Sequence, residues 1–168
     1  LTFMDINHFL VTILSGVIGT LAMTAFMYLY AYSTSHFTKV IHILGNMLVG
    51  ERNYYSPTKS AFLVGTAAHF GVGILFSFAY FLLWNWGIFR IDLIDSILIG
   101  SISGVLAVVV WKSYLKLHTH PPQINLLHYF TALFIAHIIF AVVSVYVFRI
   151  IIDDPEFWYK TQSNLTLR

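Results

Sequence analysis

Eight histidines stand in a chain otherwise sparing with ionisable groups, and two of them lie deep inside long apolar runs. His69 sits in Gly65-Thr66-Ala67-Ala68-His69-Phe70-Gly71-Val72-Gly73, and His137 in the run from Leu127 to Ile151. On a helix, Gly65, His69, Gly73, Phe76 and Tyr80 fall on one side. That side is small, ionisable, small, then aromatic, a pattern with no use against lipid. An ionisable residue within a membrane span faces the bundle interior and marks a functional site by default. The other six, His8, His36, His42, His118, His120 and His128, stand at span ends or in links. His118-x-His120 lies beside Pro121-Pro122 with no third ligand, and a metal site needs three or four. No metal site is expected.

His69 follows Ser60 by nine residues and His137 follows Leu127 by ten. At 1.5 Å per residue, both lie about 14–15 Å into a bilayer from the same face. Two imidazoles at matched depth on parallel helices could be the axial ligands of a b-type haem. Gly65 and Gly73 would let the flat macrocycle approach, and Phe70, Phe76 and Phe140 would line it. The preferred reading is packing: a neutral histidine donates one hydrogen bond and accepts another across helices. Thr20, Thr24, Ser77 and Ser144 are the candidate partners. A third reading is a path for protons or a small substrate. Enzyme chemistry has little to build on. Asp5, Glu51, Asp92, Asp95, Asp153, Asp154 and Glu156 all fall at ends or in links. There is no Gly-x-Ser-x-Gly elbow, and the lack of cysteine removes thiolate chemistry and disulfides.

The elements that must position these residues follow from composition. Only 10% of the 168 residues are charged and 58% are hydrophobic, against about 25% charged in an average soluble domain. The chain therefore reads as a single membrane domain. A net charge of +2 without a basic cluster offers nucleic acid no surface. Four runs, Phe9–Tyr32, Ser60–Trp84, Leu93–Leu115 and Leu127–Ile151, meet the roughly 20 apolar residues a bilayer core requires. They must be helices, because backbone groups in lipid have to be satisfied internally. The short link around Trp86 makes spans 2 and 3 antiparallel neighbours. Gly16, Thr20 and Thr24 on span 1, and Gly100 and Gly104 on span 3, form small stripes for close helix packing. Phe37, Val40, Ile41, Leu44 and Leu48 recur at helical spacing and predict an amphipathic helix over 36–49 at the membrane surface, stopped by Gly50. A second interfacial helix is expected over 155–162, after Asp154-Pro155-Glu156. Lys39, Arg52, Lys59, Lys112 and Lys116 follow spans 1 and 3, whereas Arg90, Arg149, Lys160 and Arg168 belong to the other side. The positive-inside rule then puts both termini outside the cytoplasm.

Two hairpins repeat a pattern. Gly16-x3-Thr20 corresponds to Gly100-x3-Gly104, and Ala68-His69 with Tyr80 to Ala136-His137 with Tyr146. Gly16-x2-Gly19-Thr20-x2-Met23-Thr24, followed by Gly65-x3-His69-x3-Gly73, resembles an uncharacterised family of small four-span bacterial membrane proteins. Gly19 stands where that family tends to have alanine, and Ala141 where a second glycine would follow His137. The resemblance implies the fold and a bacterial inner membrane, and no activity. The expectation is an all-α integral membrane four-helix bundle built from two two-helix repeats, with interfacial helices after spans 1 and 4. Its function is expected to be that of a small non-catalytic subunit, packing against lipid and other membrane-protein subunits. A haem protein using His69 and His137, and a small transporter with a site between the repeats, are the alternatives.

Overall fold

The apolar runs become helices longer than the bilayer core they would cross. The structure is a computed structural model and describes residues 6–152. It contains α1 (Ile6–Thr34), α2 (Val40–Val49), α3 (Lys59–Asn85), α4 (Leu93–Leu117) and α5 (Leu126–Ile151). The four long helices of 25 to 29 residues span about 38–44 Å at 1.5 Å per residue, enough for a hydrocarbon core of about 30 Å. No strand occurs among the described residues. The protein is an all-α integral membrane bundle of four spans. The expected interfacial helix over 155–162 lies outside the described residues.

Helix ends are set by local chemistry. Thr58 accepts from the Ala61 amide, Asp92 from Asp95 and Asn125 from His128, so three starts have side-chain caps. Gly50 closes α2 at φ +77°, a left-handed backbone that suits glycine, and its amide donates to the Asn46 carbonyl.

The helices pack in the order α4, α5, α1, α3, with α2 against α3. Small residues make each seam. A Cβ on Gly16 would stand 3.0 Å from Ile74 Cα of α3, and one on Gly19 would stand 2.2 Å from Ser144 Oγ of α5. Gly100 and Gly104 do the same for α4 on α5, against Ile138, Ala141 and Phe134. The small stripes of spans 1 and 3 are thus filled by neighbouring helices.

The link around Trp86 leaves α3 and α4 neighbours without packing them closely: α3 docks on α1 and α2, while α4 docks on α5. Phe76 and Tyr80 of α3 meet Phe140 of α5 in the middle of the bundle, with ring centroids 5.7–6.4 Å apart. One hydrogen bond, between the buried Tyr80 hydroxyl and Ser103 Oγ at 2.8 Å, ties α3 to α4. The segment after α1 differs from the expected surface helix over 36–49. It begins at Val40 and packs into the bundle end, with Val40, Ile41, Ile43, Gly45, Asn46 and Met47 all buried. The reason is a crossing of two glycines: a Cβ on Gly65 would lie 2.8 Å from Gly45 Cα, so α2 and α3 meet backbone to backbone.

Candidate functional site

The inner face of α3 carries Gly65, His69, Gly73, Ser77 and Tyr80, all buried. Its four-residue spacing keeps them on one side of the helix. On α5 the matching face is Tyr129, Leu133, His137 and Phe140. α3 and α5 both begin at the bundle end that carries α2, which puts His69 and His137 at similar depth. The structure brings both rings to the wall of one cavity, and each is only 7% exposed. The cavity holds about 240 Å³. Met23 of α1, Leu44 of α2, Phe76 of α3, Phe140 of α5, and Trp111 and Tyr114 of α4 line it. Val72 of α3 and Leu106 and Val110 of α4 also line it, yet they are 48%, 51% and 56% exposed. The cavity therefore opens sideways between α3 and α4, where the bundle is least closely packed. No Asp, Glu, Lys or Arg lines it.

The hydrogen bonds assign the proton on each ring. Thr24 Oγ1 donates to the Thr20 carbonyl at 2.6 Å, so its single proton is committed. It must accept from His69 Nε2 at 2.9 Å. His69 then carries its proton on Nε2 and a lone pair on Nδ1. His137 Nδ1 stands 2.8 Å from the Leu133 carbonyl, which can only accept. His137 is thereby protonated on Nδ1 and bears a lone pair on Nε2. The Phe76 ring meets His137 edge-on, at 5.8 Å between centroids. Burying an unpaired charge in so apolar a space is expensive, and both imidazoles are neutral.

Of the four hydroxyls expected as histidine partners, Thr24 alone serves. Thr20 bonds the Gly16 carbonyl. Ser77 bonds Thr12 and Ser15, and Ser144 bonds the Ser15 carbonyl. Gly65 and Gly73 do not leave room for a macrocycle. Gly65 is covered by the backbone of Ile41 and Gly45, and Gly73 by the Thr20 hydroxyl. A cavity of about 150 Å³ accommodates benzene, and a tetrapyrrole of four such rings would need roughly 600 Å³ on that scale. The site as folded does not fit haem. Among the described residues no group of three metal-ligating side chains occurs.

Sequence reasoning missed several participants. Trp111, Tyr114 and Met23 line the cavity from helices read only as packing or anchoring elements. Tyr129 is fully buried with no hydrogen-bond partner for its hydroxyl; its four-residue steps to Leu133 and His137 were a readable signal. At the α2 end, His36 stacks on His128 at 3.5 Å between centroids, and His128 Nδ1 meets the Tyr30 hydroxyl at 3.0 Å. That pairing joins residues far apart in the chain, and no local pattern announces it. Nearby, burial pushes the His42 imidazole below its usual range and the Lys39 charge adds to the shift, while the Tyr54 backbone opposes it.

No protein-family model, curated protein or solved structure matches this chain.

Proposed function

We propose that this is a small, non-catalytic integral membrane protein that admits an apolar molecule from the bilayer into the cavity between α3 and α4. The sideways mouth carries this reading. Val72, Leu106 and Val110 rim it in the apolar middle of the spans, where the neighbouring phase is hydrocarbon. Ligand sites for drug-sized molecules run about 300–1,000 Å³, and about 150 Å³ holds benzene. A cavity of about 240 Å³ suits one substituted ring or a comparable piece of a lipid. Tert-butylbenzene tests this in detergent micelles. A saturable rise in thermal stability is expected, in the form RT ln(1 + [L]/Kd) and reaching about 2.7 kcal/mol at a hundredfold excess over Kd. The rise should vanish in Ala107→Trp, which fills the cavity, and in Val110→Trp, which covers its mouth. A response linear in concentration, or one unchanged in both variants, would overturn the proposal.

A second reading is supported by α4. It packs along α5 and leaves Leu98, Ile102, Val105 and Val109 exposed. This apolar face suits a partner span as well as lipid, and it favours an accessory subunit of a larger membrane assembly. For orientation, we infer a bacterial inner membrane with the α2 end in the cytoplasm. Support comes from the resemblance to four-span bacterial proteins and from Lys39, Arg52, Lys59, Lys112 and Lys116 in or beside the links at that end. A reporter fused to the C-terminus should be active only outside the cytoplasm; activity inside would reverse the orientation.

A further inference from the structure

The cavity combines an apolar, aromatic wall with two hydrogen-bond acceptors that have no protein donor. We infer that its ligand is a neutral, lipid-soluble phenol, whose ring occupies the cavity and whose hydroxyl donates to His137 Nε2 or His69 Nδ1. This rests on the cavity being entered from the bilayer and adds the chemistry of what enters.

Three observations select the ligand. The first is the tautomer of each ring. Thr24 takes the His69 Nε2 proton and the Leu133 carbonyl takes the His137 Nδ1 proton. Each imidazole is left with one lone pair and no protein partner for it among the described residues. A neutral imidazole with its N–H already engaged can only accept, so a ligand group that bonds either ring must donate. Ketones, ethers and esters cannot bond these two nitrogens. The second observation is charge. No acidic or basic side chain lines the cavity, so an ammonium or carboxylate ligand would be buried without a counter-charge. A metal cation would meet only two nitrogens, fewer than its usual three or four ligands. A neutral donor remains, of which a hydroxyl is the simplest. The third is shape. Phe76, Phe140, Trp111 and Tyr114 present ring faces and edges to the cavity, and aromatic rings favour edge-to-face and offset contacts with one another. About 240 Å³ accepts one substituted benzene ring. A phenol answers all three, and its alkyl substituents can leave through the mouth between Val72 and Leu106.

The test compares para-tert-butylphenol with its methyl ether in the full-length protein, by saturation of the thermal shift. The two probes share a ring and a tail and differ in the donor proton. The phenol should bind about five- to tenfold more tightly, the ratio expected for one net hydrogen bond. In one of the two variants His137→Leu and His69→Leu the preference should fall toward unity while ring binding persists, and a preference retained in both would defeat the inference. Equal affinity of the two probes for the parent protein would defeat the donor inference and leave the apolar site standing. Tighter binding of the ether would defeat it as well. Failure of both probes to saturate would defeat the bilayer-entered site itself. The comparison in the parent protein decides the matter even if neither histidine variant folds.

Discussion

Thr24 has one hydroxyl proton and commits it to its own helix, which makes its oxygen an acceptor for His69. Thr24→Val keeps the shape and removes the acceptor, leaving the Nε2–H of His69 unpaired in the bundle. A buried unsatisfied donor costs about 1–3 kcal/mol, and hydrogen bonds between spans average nearer 0.6 kcal/mol. A loss of about 0.6–2 kcal/mol is therefore expected in detergent unfolding, with Thr24→Ser close to the parent. If valine matches the parent, the ring finds another partner and the tautomer argument fails. The sequence offered four hydroxyls as partners for the histidines. Their choice depends on the rotation of α1 against α3, which sets side chains 45 residues apart within 2.9 Å. No periodicity within one helix encodes that rotation.

At the scale of the helices, glycines that look alike in the sequence differ in consequence. Gly45 faces α3, and a Cβ there would come within 1.9 Å of the Ala61 carbonyl oxygen. Backbone cannot swing aside as a side chain can, so α2 would have to move. Gly45→Ala should cost about 1–3 kcal/mol and increase amide exchange across α2. Gly71 lies on the same helix as the site, with nothing within 4 Å of its would-be Cβ. Gly71→Ala should leave stability unchanged or raise it by up to about 1 kcal/mol through helix propensity. Equal effects at the two positions would mean that α2 is not docked through Gly45. The apolar spacing of Val40, Ile41 and Leu44 announced a helix here and suggested the membrane surface, but an amphipathic pattern fits a groove between helices as well. The glycine opposite, Gly65, decides for the groove.

At the scale of the molecule, a two-hairpin repeat would make α3·α4 the counterpart of α1·α5. The α1·α5 seam is closed by Gly19, Ser15 and Ser144. Its counterpart is loosely packed and joined by the Tyr80–Ser103 hydrogen bond. The cavity is this departure from symmetry. Tyr80→Phe should cost only about 1 kcal/mol, since Ser103 still bonds the Gly100 carbonyl at 3.0 Å. It should nevertheless loosen the seam. Spin labels at the exposed positions Leu82 and Ile102 would then give a broader distance distribution than in the parent. An unchanged distribution would show that other contacts hold α3 to α4.

What the sequence determined by itself is the number, length and helical nature of the spans, and the depth of His69 and His137. These follow from hydropathy, from the need to satisfy backbone groups in lipid, and from the fixed rise of a helix, all of them local properties. Only the tertiary structure decided that Gly65 packs against α2, that Thr24 holds His69, and that α3 and α4 part to form a cavity. Those outcomes depend on which side-chain volumes meet across helices distant in the chain. Glycine against glycine draws α2 and α3 together, whereas Phe76 of α3 meets Phe140 of α5 ring to ring.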